Sequence, residues 1–561
     1  MRTLSQSLPG SRPTDAAIAS GPEHASDRIP DRATPMSRPF STGEAMSQAH
    51  LESGLRALIK DGVYSQIVGT LTSGVLLVGY AMELGASNLA IGLLASLPFL
   101  AQLCQLPAIA LVERFRARRR IAVIALSACR ALMVPIAFLP LLGDGPLALG
   151  LLIGGVALSA GLGSIGSCAW NSWMRDLVPQ RMLGDFFGRR LFFSTFYAML
   201  FGLAGGLFVD HWNGLHLAAR SDAYTVLFLI GALAGGLNVW HLSKVPEPRM
   251  APAEPHRKLS DVLRAPLADH NFRRLLAFLG SWHFSVNLAA PFFAVYLMTQ
   301  LEYDIWVVTG LTVISQLANL LMLRQWGRLA DNFSNKAVLS VCAPLFLASI
   351  IAFPFTAMPE KHAFTLPLLT VVHALMGAAT AGITLASGNI GLKLAPHGRA
   401  TAYLASTSLV TSLAAGLAPI IGGLFADDFV SRELSIVLRW ASSGNASEFI
   451  AIKLRHWDFF FILASALGLF ALQRLGKVRE KGEVKEKIII QQLALEARRT
   501  MINLSSVGGL RAMTSFPTGA MQTPRILRRR QRFLRAIDAL PAPTEAAARE
   551  AGNDNARRAR A

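Results

Sequence analysis

The chain has 561 residues, 52% of them apolar and 16% charged, with a mean hydropathy of +0.41. A soluble globular domain carries about a quarter charged residues, so this composition calls for an apolar solvent and excludes an ordinary soluble fold. The net charge of +19 would suit a nucleic-acid binder, but the arginines stand in short clusters between apolar runs and in a C-terminal tail, which is the pattern of membrane topology.

In chain order, residues 1–50 are polar, rich in Ser, Pro, Asp and Arg, and lack the apolar stretch of a signal peptide. A disordered leader is expected there, with Met36 or Met46 as alternative starts. Runs long and apolar enough to span a bilayer follow at 62–83, 87–111, 121–142, 147–168, 190–210 and 223–243. A second set of six lies at 274–299, 305–325, 337–358, 363–390, 400–426 and 457–475. Each has the roughly 20 residues that hydrocarbon demands of a helix whose backbone must satisfy itself. Basic residues crowd alternate loops: Arg114 to Arg120 after the second run, Arg175 to Arg190 after the fourth, and Lys244 to Arg274 after the sixth. The first and third loops hold none, so both termini are expected in the cytoplasm. Cys104, Cys129, Cys168 and Cys342 all fall inside apolar runs and read as small buried thiols, not as a metal site or a disulfide framework.

Short landmarks recur at a nearly constant offset. Glu113-Arg-Phe is answered by Asp331-Asn-Phe, Leu177-Val-Pro by Leu394-Ala-Pro, Gly205-Gly206 by Gly422-Gly423, and Tyr80-Ala-Met by Tyr296-Leu-Met. The offset implies two related six-helix halves in parallel, the arrangement of carriers that alternate access around a central site. The expected organisation is a leader (1–50), a first half (51–243), a linker with Pro246-Glu-Pro248 (244–272), a second half (273–475) and a basic tail (476–561).

Gly327-Arg-Leu-Ala-Asp331-Asn-Phe-Ser-Asn-Lys336 closely resembles the loop motif of the major facilitator superfamily. The first-half copy, Glu113-Arg-Phe-Arg-Ala-Arg118-Arg119, departs from it: Glu replaces Asp and the leading glycine is missing. Asp176-Leu-Val-Pro through Gly188-Arg189-Arg190 resembles the loop after the fourth helix of many bacterial members. Ala418-Pro-Ile-Ile-Gly-Gly is similar to an antiporter motif but lies in the eleventh span, not the fifth. The resemblance covers about 50–475 and implies an all-α polytopic fold of 12 transmembrane helices in two pseudo-symmetric halves.

What the resemblance implies for the loops is a gate. Glu113, Arg114, Arg118, Gly327, Asp331, Lys336, Asp176 and Arg189 would form it, with Glu113 docking on the start of the eleventh helix near Ala400 and Asp331 on that of the fifth near Gly188. A carboxylate is stabilised there by exposed N–H groups and the positive dipole end. For Arg114 and Arg118 the plainer reading is a positive-inside anchor.

Polar residues within spans mark a candidate cavity. They are Gln66, Thr70 and Ser73 in the first span, Gln102 and Gln105 in the second, and His283 and Asn287 in the seventh. Thr312, Gln316 and Asn319 follow in the eighth, and His373, Thr380 and Thr384 in the tenth. Each has the alternative of an ordinary interhelical hydrogen bond. Arg130 lies deep in the third span and is expected either to bind an anionic group of a substrate or to serve as a strut on carbonyls or on Asp176. Carboxylates are almost absent from the spans, with Glu83 and Asp210 only near helix ends and Asp176 in a loop, which leaves His283 and His373 as the groups able to carry a coupling proton. Gly161-Leu-Gly163-Ser-Ile-Gly166 matches a dinucleotide fingerprint but sits inside an apolar span with no strand before it, so no cofactor is expected.

Leu434, Val437, Leu438 and Trp440, beside Arg432 and Arg439, suggest a helix lying in the interface plane within the loop 427–456. Beyond 476, Ile489, Leu493 and Ala497 keep a helical rhythm, and the run from Arg525 to Arg535 is basic and amphipathic, suited to anionic lipid. The function expected is secondary transport of a small organic solute by a monomer in the cell membrane, with no metal and no nucleic-acid partner. A membrane enzyme acting on a lipid-linked substrate and a non-transporting sensor are the alternatives. The first would need clustered nucleophiles or metal ligands, which the sequence lacks.

Overall fold

The computed structural model describes residues 48–480 apart from 144, 180–181, 215–218, 249, 251–265, 359–360, 397–399, 430–431 and 443–444. The leader up to residue 47 and the basic tail from residue 481 therefore lie outside the described residues. Among the described residues, 12 helices are long and apolar enough to cross a membrane. In chain order these are α1 (Leu51–Glu83), α2 (Asn88–Phe115), α3 (Arg118–Ala137), α4 (Pro146–Leu177), α5 (Leu183–Gly214) and α6 (Arg220–Ser243). The second half supplies α7 (His270–Thr299), α8 (Ile305–Asn332), α9 (Asn335–Phe355), α10 (Thr365–Leu394), α11 (Ala402–Phe429) and α12 (His456–Gly476).

The helix ends are set by local chemistry. Ser87 caps α2 by accepting from the Ala90 N–H at 3.3 Å. Asp269 accepts from Asn271 and Phe272 at the start of α7, and Ser334 caps α9 through the Ala337 N–H. Two helices are interrupted at matching places. In α1 the chain breaks at Ser73–Gly74, where Gly74 takes a φ of +60° that a side chain would resist. In α7 it breaks at Ala290–Pro291, where proline has no N–H to give. Proline also stands inside α2 at Pro98, just before a 3-10 turn over Ala101–Cys104.

Each half has its own apolar core. In the first, Tyr80, Tyr224 and Phe228 are buried together, and the Tyr80 hydroxyl donates to the Ile136 carbonyl at 2.8 Å, tying α1 to α3. In the second, Phe292, Tyr296, Phe353, Phe460 and Phe461 pack edge to face around α7, α9 and α12.

The loop after α11 differs from expectation. Its expected interfacial helix is instead a β-hairpin, β1 (Glu433–Ser442) paired antiparallel with β2 (Asn445–Arg455). The spacing of Leu434, Val437 and Leu438 fits a helix, but the β-branched run and the Ser-Gly that joins the strands favour a hairpin. A register shift between Ile436 and Val437 lets these two neighbours depart from strict alternation. Leu434, Ile436 and Val437 stay 50%, 48% and 45% exposed. The bundle thus has a hairpin end, which bears this loop, and an opposite basic end, which bears the arginine-rich loops.

Candidate functional site

The two halves are locked together at the hairpin end. Asp210, near the end of α5, accepts from the backbone N–H groups of Ile305 (3.3 Å) and Trp306 (2.6 Å), the first residues of α8. Asp427, near the end of α11, accepts from the Asn88 N–H (3.2 Å), the Asn88 side-chain amide (2.9 Å) and the Leu89 N–H (3.1 Å) at the start of α2. Each carboxylate thus meets otherwise unpaired N–H groups at the positive end of a helix dipole. The two acids stand at the repeat offset, so one lock is the pseudo-symmetric image of the other. Glycine makes the approach possible: a Cβ on Gly423 would lie 2.6 Å from the Leu89 Cα, and one on Gly206 would lie 3.0 Å from the Trp306 Cα.

Toward the basic end the same helix pairs part. The contact of α2 with α11 runs from Asn88 to Leu100, which lies against Gly416. Between α5 and α8 a cavity of about 310 Å³ opens, lined by Leu191 and Thr195 of α5, Ser315, Gln316, Asn319, Leu320 and Leu323 of α8, and Gly377 and Thr380 of α10. The structure thus brings Gln316, Asn319 and Thr380 together, and adds Thr195 and Ser315, which the sequence reading passed over. On α1, Gln66 and Ser73 are exposed, while Thr70 is half-buried with its methyl beside Gly202 of α5. Gln102 is exposed on α2 and accepts from Gln105. On α8 the Thr312 hydroxyl donates to its own helix at Val308 (3.0 Å).

The remaining candidates sit apart from that cavity. Asn287 donates its amide to the His283 carbonyl at 2.8 Å, and both are half-buried on α7. His373 is buried, donates Nδ1–H to the Leu369 carbonyl at 2.8 Å and packs its ring against Phe353 of α9.

At the basic end the loop motifs are built into each half separately. Arg118 is buried, pairs with Asp176 of α4 and with Glu247 (3.7 Å), and donates to the carbonyls of Ser172 (3.1 Å) and Pro248 (2.8 Å). Arg114 lies exposed over the Phe115 ring, and Arg189 pairs with Asp185 at 3.1 Å. In the second half, Glu480 just beyond α12 accepts from the backbone N–H groups of Asn335 (3.3 Å) and Lys336 (2.7 Å) and pairs with Lys393 at 2.9 Å. Burial alone would raise the pKa of Glu480, but the Lys336 N–H, the Lys393 ammonium and Asn335 more than offset it and hold the carboxyl below its ordinary value of 4.5. Lys336 also reaches the Gly476 carbonyl (3.5 Å), and Gly327 lies on α8 facing Leu385. Asp331 is exposed, and among the described residues no hydrogen bond or ion pair joins it to the start of α5. Glu113 is half-buried on α2; its expected dock is preceded by residues 397–399, outside the described residues.

The Major Facilitator Superfamily model matches residues 63–324 and again 283–534. The chain belongs to the major facilitator superfamily. Solved structures of members share its fold. A nucleoside transporter, NupG, aligns over 76% of this chain and 100% of its own at 15% identity and a TM-score of 0.56. A D-xylose–proton symporter covers 78% and 100% at 16% identity and 0.55. A POT family transporter in complex with 5-aminolevulinic acid covers 76% and 97% at 14% identity and 0.53. No curated protein matches the sequence. Family and spans together make this a multi-pass membrane protein and point to solute transport, not to catalysis.

Two readings of buried charge change in this facilitator. The spans do hold a carboxylate: Asp61 of α1 is only 3% exposed. It lay one residue outside the expected first span, whereas α1 in fact starts at Leu51. Asp61 pairs with Arg190 of α5 at 3.0 Å and accepts from the Asn238 amide of α6 at 2.7 Å. Arg190 also donates to the Leu58 carbonyl (3.1 Å) and stacks on Trp170, 4.8 Å from its centroid. Arg130 does not reach Asp176, which Arg118 holds. Its stem packs on Gly235, its guanidinium donates to Ser65 at 3.4 Å, and its charge acts on Asp61. One carboxylate therefore faces two guanidinium groups inside the first half.

Proposed function

We propose that this facilitator is a secondary transporter that carries a small organic solute across the cell membrane by alternating access, acting as a monomer with both termini in the cytoplasm. One observation carries the reading. The halves are latched at one end by a pseudo-symmetric pair of carboxylate–helix contacts and part at the other around a polar cavity. With the arginine-rich loops on the cytoplasmic side, this is the inward-open state. Opening the opposite face requires the locks at Asp210 and Asp427 to break while Asp331 and Glu113 dock across the basic end. The exchange of one pair of contacts for the other supplies two states whose balance a bound solute can shift.

The test is solute exchange in sealed liposomes containing the purified protein, run beside topology labelling with a membrane-impermeant maleimide. Arg114→Cys is expected to react from the cytoplasmic side only and Glu302→Cys from the outer side only. Exchange should be saturable and should fall in Asp331→Asn. A protein that reconstitutes, labels in this topology and exchanges no solute is not a transporter.

A further inference from the structure

The cavity between α5 and α8 specifies a kind of solute, an inference that rests on the transporter reading above. We propose that the substrate is an uncharged solute bearing hydroxyl or amide groups on a compact, partly apolar body, anchored by the side-chain amides of Gln316 and Asn319. Among the described residues the lining contains no titratable side chain. Its polar groups are those two amides and three hydroxyls, and its remaining walls are leucines and a glycine. Thr380 donates its hydroxyl hydrogen to the Met376 carbonyl at 2.7 Å, so it offers only lone pairs to a guest. Gln316 and Asn319 have no hydrogen-bond partner among the described residues, so each presents two N–H donors and a carbonyl acceptor from the same helix face.

Such a set matches groups that donate and accept at once, as hydroxyls and neutral amides do. Leucines on both helices meet the C–H faces of a ring. A charged solute would lose its hydration in a site with no counter-charge. The two half-buried guanidinium groups near Asp61 do not supply one, because Arg190 is spent on Asp61 and Arg130 turns to Ser65. The anchors belong to the second half while Thr195 belongs to the first, so a bound solute touches both halves and favours the state that brings them together.

The experiment uses the full-length protein in sealed liposomes and matched pairs of probes: D-glucose against D-gluconate and D-glucosamine, and uridine against uridine monophosphate. Counterflow uptake and thermal stabilisation are read for each. The expected result is uptake and stabilisation by a neutral member, with its charged counterpart weaker by about tenfold or more. Asn319→Ala should raise the apparent Kd about tenfold, the worth of one hydrogen bond, and leave the Tm of the unliganded protein in place. Asn319→Asp should move preference toward glucosamine, a gain that misfolding cannot mimic. Preference for the charged members, or an unchanged Kd in both Asn319→Ala and Gln316→Ala, overturns the substrate class while leaving the transporter standing. Absence of both uptake and stabilisation for every pair also overturns the substrate class, and the transporter reading is then decided separately by the exchange assay above.

Discussion

Removing the carboxylate of Asp427 is predicted to open the hairpin end. In the closed state Asp427 accepts from two backbone N–H groups and one side-chain amide of α2, all between 2.9 and 3.2 Å. Hydrogen bonds to a charged group contribute about 1.5–3 kcal/mol each, net of their exchange with water. The cluster is partly exposed, so the differential between states is on the scale of one carboxylate at a helix N-terminus, about 2 kcal/mol. That corresponds to roughly a thirtyfold shift toward the outward-open state in Asp427→Ala, since about 1.4 kcal/mol is tenfold. Asp210→Asn acts on the same equilibrium through α8, so the two effects should multiply. The assay is maleimide labelling of Ser73→Cys, an exposed position at the break in α1, in a variant whose four native cysteines are replaced. Labelling from the outer face should rise in each single variant and rise further in the pair. Unchanged labelling in a well-folded Asp210→Asn/Asp427→Ala protein would refute the lock.

Other outcomes follow from the same geometry. Gly92→Leu places a Cβ on the Pro419 carbonyl oxygen; overpacking of about 1–3 kcal/mol should wedge α2 from α11, raise outer labelling and abolish exchange without unfolding the protein. Asp61→Asn leaves Arg190 and Arg130 without their shared anion, a loss of about 3 kcal/mol for a buried pair, seen as a lower Tm that Arg190→Gln in the same chain partly restores. Glu480 has a depressed pKa, so its docking on α9 is fully stabilising above its ordinary 4.5 and weakens as pH falls through the lowered value. Proteolysis just after α12 should therefore accelerate in the wild type only as pH falls below 4.5 and through the lowered value, and Glu480→Gln should show that susceptibility already at about pH 7.

The membrane spans were legible because hydrocarbon imposes one rule on about twenty residues at a time, and the duplication because it leaves landmarks at a fixed offset. The locks were not read from the sequence: the same offset relates Asp210 to Asp427, but an acid near a helix end announces itself only once the opposing helix start is in place. Asp61 was missed because a hydropathy boundary drawn at residue 62 hid that α1 already begins at Leu51. The hairpin was misread as a helix because Leu434, Val437 and Leu438 fall at helical spacing, while the register shift between Ile436 and Val437 breaks the alternation that marks a strand. For Arg130, depth was legible and partner was not: its side chain turns toward Ser65 and Asp61, a direction that no one-dimensional pattern encodes.

Alternating access is tested most directly by distances at both ends of one molecule. Spin labels at Arg189 and Arg328 report the basic end across α5 and α8, and labels at His211 and Glu302 report the hairpin end. On adding a transported solute to the protein in lipid nanodiscs, the basic-end distance should shorten in a fraction of molecules and the hairpin-end distance lengthen in a matching fraction. Asp427→Ala should populate that second state without solute. Two ends that open or close together, or that stay fixed while solute is exchanged, would contradict the account.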